Sequence, residues 1–156
     1  MRLLFVCTGN TCRSPMAEAI ARRAAAERGL DDVIVASAGT SAWEGAPASD
    51  GALLVAMEHG LDLNSHRAQV LTREVVAAAD LILVMGPHHR ERAVVLGGDA
   101  RAHLLTDYAS RGQQARPVQD PFGGELDIYR ETFDELTQEI AKVFDRIAAE
   151  RGAGPA

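Results

Sequence analysis

The sequence predicts a single three-layer α/β domain built on a parallel sheet. Apolar runs without alternation, Leu3-Leu4-Phe5-Val6 and Leu81-Ile82-Leu83-Val84-Met85, read as strands covered on both faces. Between strand patterns lie segments with helical periodicity, so strands and helices alternate, and right-handed crossovers then put helices on both sides of the sheet. A length of 156 residues suits one domain, expected over residues 1–150 with residues 151–156 as a frayed tail.

The elements follow in order. Residues 2–6 form the first strand. Residues 15–28, rich in Ala with Arg and Glu on one side, form a helix that Gly29 stops. Residues 33–37 are the second strand, followed by a loop from Ala38 through Trp43 to Pro47. A helix starts at Ser49 or Asp50, either a good N-cap, and ends at Gly60. Asp62 to Gln69 is polar and irregular. Thr72 with Glu74 opens a short helix that ends before Asp80. Residues 81–85 are the third strand, and Gly86-Pro87 turns the chain into a helix that reaches Leu96 and stops at Gly97-Gly98. Ala102 to Leu105 is a shorter fourth strand. Residues 109–125 read as a loop. From Asp127, Ile128, Phe133, Leu136, Ile140, Val143 and Ile147 recur near a helical repeat and predict a long amphipathic C-terminal helix.

Composition narrows the function classes. At 47% hydrophobic and 24% charged, the chain reads as globular. Its net charge of −6 argues against general nucleic-acid binding, yet a local positive field still accommodates an anionic substrate. The apolar runs fall far short of the ~20 residues of a membrane span, and the N-terminus reads as a strand, not a signal peptide. The two cysteines, Cys7 and Cys12, lie close together in one loop and read as reactive, which fits a reducing cytoplasm. His88, His89 and His103 show no metal-ligand spacing with other ligands, and neither a metal nor another cofactor is expected.

That loop, Cys7-Thr8-Gly9-Asn10-Thr11-Cys12-Arg13-Ser14, joins a buried strand to a helix start. Such an order builds an anion site, because loop amides and the open first turn of the helix converge on one point. Cys7 stands at the strand end, where positive potential favours the nucleophilic thiolate. Arg13 follows six residues later, and its planar fork suits two oxygens of a phosphoryl group.

The run from Cys7 to Ser14, with Pro15-Met16-Ala17-Glu18 behind it, resembles the phosphate-binding loop of the low-molecular-weight protein-tyrosine phosphatases. That family also carries a late Asp-Pro, and this chain has Asp120-Pro121-Phe122-Gly123-Gly124. The resemblance covers nearly the whole chain. It implies four parallel strands in the order 2-1-3-4. It also implies hydrolysis through a phosphocysteine intermediate, with phosphorylated proteins as substrates and inorganic phosphate as product. Cys7 is then the nucleophile, Arg13 the phosphoryl clamp and Asp120 the general acid and then base. Thr8, Gly9, Asn10, Thr11, Cys12, Ser14 and Phe122 are the substrate-binding candidates. Ser14 is further expected to donate to the Cys7 sulfur, and Ser37 and His66 to support Asn10 from behind. Cys12 is placed for a reversible Cys7–Cys12 disulfide that regulates the enzyme. Trp43 reads equally as a packing residue or a substrate flank.

Two departures from the tyrosine-specific pattern bear on substrate. Thr11 stands where a bulky aliphatic residue is usual, and Gly123-Gly124 follows Phe122 where a second aromatic is common. The combination is similar to the bacterial protein-arginine phosphatases of the same family. A polar guanidinium fits a small hydroxyl-bearing wall, an acidic partner and an aromatic face, whereas a phosphotyrosine ring wants apolar walls. Phosphoarginine is therefore the expected substrate, with phosphotyrosine the alternative. A redox enzyme of the arsenate-reductase kind needs shuttle cysteines beyond Cys12, which the chain lacks. A phosphoprotein-binding module would be expected to lack the nucleophile or the acid.

Overall fold

The apolar run that opens the chain becomes the pivot of the sheet. The computed structural model describes residues 1–152 and places β1 (Arg2–Cys7) between β2 (Ile34–Gly39) and β3 (Leu81–Val84). β4 (Ala102–Leu104) lies beyond β3, giving the order β2-β1-β3-β4 with every pair parallel. Leu4 sits opposite Ala36 on one side and Ile82 on the other.

Alternate residues of β1 feed two separate cores. Leu3, Phe5 and Cys7 join Val35, Leu81 and Leu83 against α1 (Arg13–Glu27), α2 (Asp50–Glu58), α5 (Leu105–Ala109) and α6 (Leu126–Gly152). Leu4 and Val6 join Ala38, Ile82 and Val84 against α3 (Arg73–Ala78) and α4 (Pro87–Val95). A period-two strand with both faces apolar is what a covered parallel sheet requires, and these are the expected three layers.

The local signals act where the sequence placed them. Ser49 and Thr72 cap α2 and α3, their hydroxyls accepting from Ala52 N and Val75 N. Gly29 takes the left-handed conformation, φ 68°, just past the end of α1. Ala17, Ala21 and Ala25, all buried, present little bulk on the face of α1 that packs against α6.

Several boundaries differ from expectation. α1 begins at Arg13 rather than Pro15, because the loop passes directly into the helix. β2 starts at Ile34 and runs to Gly39, past the expected end at Ser37. Leu105 opens α5 instead of ending β4; this single turn buries Leu105, Thr106, Tyr108 and Ala109 but is too short to show a period. A 3-10 turn, Asp99–Arg101, also went unread. On α6 the core face carries Tyr129 and Phe144 with Phe133, Leu136, Ile140, Val143 and Ile147, while Ile128 is only half-buried. α6 continues through Gly152, and Arg151 pairs with Asp32 at 2.7 Å, so residues 151 and 152 do not begin a frayed tail. The rest of that tail, 153–156, lies outside the described residues.

All four strands end at one edge of the sheet, at Cys7, Gly39, Val84 and Leu104. From β1 the chain crosses first to β2 on one side and later to β3 on the other. Ligand crevices in open parallel sheets form at such a reversal, and here the residue at the end of the pivot strand is Cys7.

Candidate active site

The segment from Cys7 to Cys12 curls at that edge with its carbonyls held outward. Cys7 O accepts from Thr40 N, Thr8 O from Ser41 N, Thr11 O from Ser49 N and Cys12 O from Met16 N. Asn10 O accepts from His66 Nε2 at 2.7 Å. With the carbonyls engaged outside, the amides are left for an anion at the centre. The first turn of α1 adds to them, since Cys12 caps it without a side-chain hydrogen bond and no acidic residue occupies it. The close approach of β2 depends on Gly39, where a Cβ would lie 2.5 Å from Thr8 O and 2.9 Å from Asn10 N.

Asn10 is the keystone of the curl. It adopts φ 55°, a left-handed conformation that Asn tolerates better than most residues. Its side chain is completely buried and every polar atom is used. Nδ2 donates to Ser14 Oγ at 2.8 Å and to Ser37 Oγ at 2.9 Å, and Oδ1 accepts from Gln69 N at 2.9 Å. Ser37 in turn donates to Glu18 Oε1 at 2.8 Å. Because Ser14 accepts from Asn10, its single hydroxyl hydrogen is free for the Cys7 sulfur, 2.9 Å away. The network therefore orients Ser14 toward Cys7 as a donor, the arrangement that stabilises a thiolate.

Arg13 is buried, at 6% exposed, yet it reaches the cleft. Nη1 donates to Val118 O at 2.9 Å, and Nη2 stands 3.7 Å from Asp120 Oδ2. Asp120 is half-exposed, and its Oδ1 accepts from Phe122 N at 3.1 Å, a turn that props the carboxylate over the loop. A cleft of about 190 Å³ is lined by Cys7, Thr8, Gly9, Thr11, Cys12, Arg13, Asp120 and Phe122. Phe122 is 74% exposed, free to meet a substrate. A larger groove, about 580 Å³, lies behind the loop along Glu18, Ser37, His66 and Gln69, away from the sulfur.

The structure thus gathers all but two of the expected catalytic and substrate-binding residues around one cleft. The side chains of Asn10 and Ser14 are instead buried beneath it, with Ser37 and His66 in the same supporting network. Trp43 is 83% exposed and so packs against little. Among the described residues no group of His, Cys, Asp and Glu is placed to hold a metal ion.

Several contributors went unread. Cys12 Sγ lies 3.2 Å from Ser49 Oγ and 3.5 Å from Tyr129 OH, although Ser49 signalled only a cap and Tyr129 carried no signal. Glu18 and Gln69 complete the Asn10 network without a local pattern to mark them. His89 had one usable signal, its place just after the end of the third strand, on the edge where sites form.

Comparison with known proteins agrees with this geometry. The profile of the family described as low molecular weight phosphotyrosine protein phosphatase matches residues 2–153. The chain belongs to this family. It is accordingly a phosphoprotein phosphatase. Relatives include the protein-arginine-phosphatase of Bacillus subtilis, 38% identical over 153 residues that cover 97% of this chain and 99% of that one. The low molecular weight protein-tyrosine-phosphatase PtpB of Staphylococcus haemolyticus is 39% identical over 144 residues, covering 92% and 97%. Among solved structures, a cysteine-to-serine mutant of the YwlE arginine phosphatase with a phosphorylated active-site serine superimposes with a TM-score of 0.89. It is 37% identical, and the match covers 97% of this chain and 98% of that chain. As far as location is concerned, no helix among the described residues is long and apolar enough to cross a membrane.

Proposed function

We propose that this protein hydrolyses phosphoarginine in proteins through a phosphocysteine intermediate. Cys7 Sγ attacks phosphorus in line while the loop amides and Arg13 hold the equatorial oxygens. As the P–N bond breaks, its electron pair stays with the guanidine nitrogen, Asp120 delivers a proton to that nitrogen, and arginine leaves as the guanidinium. Asp120, now a carboxylate, takes a proton from water, whose oxygen forms the new bond to phosphorus. The S–P bond breaks, inorganic phosphate departs, and Ser14 receives the thiolate of Cys7.

The observation that carries the substrate reading is the pairing of Thr11 and Phe122 across one small cleft. Thr11 offers a hydroxyl and room where an apolar wall would favour a ring. Phe122 offers an aromatic face to a guanidinium plane, and Asp120 beside it offers a charge partner. Relatives with the arginine-phosphatase name, matched along nearly their whole length, support the same choice. Phosphotyrosine remains the second reading, favoured by the exposed Trp43 on the loop that Ser41 ties to Thr8, where it offers a ring a stacking wall.

The test is turnover of two matched peptides, one carrying phosphoarginine and one phosphotyrosine, by the wild type and by Cys7→Ser. Preference for phosphoarginine that disappears in C7S supports the proposal. Preference for phosphotyrosine retains the Cys7, Arg13 and Asp120 chemistry and overturns the substrate. No turnover of either points to a binding module. The need for a free Cys7 thiol further supports a reducing cytoplasm as the working compartment, with reversible Cys7–Cys12 oxidation as the regulatory device.

A further inference from the structure

His89 takes no part in the chemistry above, yet it is the one imidazole that touches the phosphate loop from the α4 side. Its ring is completely buried. Nε2 lies 2.8 Å from the hydroxyl of Thr8, the residue directly after Cys7. Among the described residues Nδ1 has no hydrogen-bond partner. A buried imidazole with an idle nitrogen costs stability, so packing alone would favour an apolar side chain at this position. Burial, His88 and the Arg13 charge hold His89 well below the ordinary imidazole value, at about 3, so the ring stays neutral at any working pH.

A neutral imidazole offers one acceptor and one donor, and the Thr8 hydroxyl can meet it either way. In both cases the hydroxyl oxygen is held at the ring, and where Nε2 accepts, the hydroxyl hydrogen is committed there as well. The Thr8 main chain is fixed separately, its carbonyl accepting from Ser41 N at 2.9 Å. Thr8 is therefore clamped from two sides, by its carbonyl to one loop and by its hydroxyl to α4. This is the first peptide after the nucleophile, where a small rotation would re-aim the amides meant for the phosphoryl oxygens. Released from His89, the hydroxyl would also be free to enter the cleft and compete for the phosphoryl group or the attacking water.

We propose that His89 is a positioning residue for phosphoryl transfer, acting through Thr8 to keep the loop amides aimed and the Thr8 hydroxyl out of the cleft. This rests on the phosphatase reading of the site but not on which phosphoresidue it takes. Aligned donors matter most where charge develops in the transition state, so the effect falls on kcat more than on KM.

The test is a double-mutant cycle on the full chain with an activated aryl phosphate, which any enzyme of this mechanism turns over. Variants are H89L, H89Q, T8V and T8V/H89L, each with its melting temperature measured. The expected result is a loss of about 10-fold or more in kcat for H89L and for T8V, with KM changed less than about 3-fold. The double variant should lose no more than the worse single one, and H89Q, which keeps a hydrogen-bonding group, should recover part of kcat. If H89L fails to fold, T8V and H89Q carry the decision, since neither empties the core. A T8V with wild-type kcat, or effects of the two substitutions that multiply, would overturn the proposal. A wild type that does not turn over the aryl phosphate would overturn the phosphatase reading itself, and this proposal with it.

Discussion

Arg13 donates from Nη1 to the carbonyl of Val118 at 2.9 Å, and that bond ties the loop of Cys7 to the loop of Asp120. Val118 is itself pinned, its amide donating to Met85 O at 2.8 Å just beyond β3. The chain thus fixes Asp120 relative to Cys7 through three backbone groups and a guanidinium rather than through the flexible reach of 109–125. One face of Arg13 is spent on this anchor, which leaves Nη2, 3.7 Å from Asp120, oriented toward the cleft. In the proposed mechanism a single side chain therefore serves as clamp for the substrate and as strut for the acid.

That double duty makes Arg13→Lys a severe change. A lysine ammonium is a point charge and cannot hold Val118 O while gripping two phosphoryl oxygens. R13K should lose about 100-fold or more in kcat/KM on any phosphate ester, with a melting temperature lowered by the lost buried hydrogen bond. Retention of more than a tenth of the activity would show that the anchor and the clamp are separable.

Much of this was legible from local pattern. The Cys7–Ser14 run between an apolar strand and a helix named the site because anion binding needs that order of elements, and the alternation of strand and helix named the layers. What stayed hidden came through tertiary contact. Gln69 and His89 stand 59 and 79 positions from Asn10, with only the place of His89 just after the third strand as a signal, and nothing in the run that holds Glu18 says that its carboxylate meets Ser37. Val118 acts through its backbone, which no side-chain pattern reports. α5 was missed because five residues, Leu105–Ala109, are too few to display a period, and its burial is decided by α6.

Thr11→Ile tests the specificity wall. The added apolar bulk replaces a hydroxyl on the cleft and should favour a ring over a guanidinium. The ratio of kcat/KM for phosphotyrosine to phosphoarginine should rise about 10-fold or more, a size ordinary for one or two methyl groups in a pocket. An unchanged ratio would remove Thr11 from the account of selectivity.

His89 also leaves a mark on stability against pH. Its ordinary value is 6.5 and the folded chain holds it at about 3, between His88 on α4, Arg13 on α1 and Asp120 on the acid loop. Between those values the unfolded chain binds a proton that the folded chain refuses. Stability from this group is therefore lost as pH falls below about 6.5, by about 1.4 kcal/mol per pH unit, and is unaffected above it. H89Q cannot take up that proton. Urea unfolding at pH 7, 6, 5 and 4 should show the variant losing less stability than the wild type, by about half that slope between pH 7 and 6 and by nearly the full slope at the two steps below. His103, held low chiefly by burial, is present in both proteins and cancels in the difference. Parallel stability curves would mean that His89 already titrates normally in the folded chain.

Oxidation is the last discriminating experiment, because both cysteines are free and nearly buried within the same curl. One equivalent of hydrogen peroxide first converts the Cys7 thiol to a sulfenic acid, with water as the other product. Attack by the Cys12 sulfur then forms the S–S bond and expels a second water. Cys12 Sγ is held against Ser49 Oγ at 3.2 Å and Tyr129 OH at 3.5 Å, contacts that compete with its attack on Cys7. Mass spectrometry after mild peroxide should find the chain lighter by two hydrogens, inactive, and restored by a small thiol. In Cys12→Ser a second equivalent of peroxide should carry Cys7 on to the sulfinic acid, heavier by two oxygens and not restored. Sulfinic acid on Cys7 in the wild type, with Cys12 intact, would show that Ser49 and Tyr129 hold Cys12 too firmly for it to protect the nucleophile.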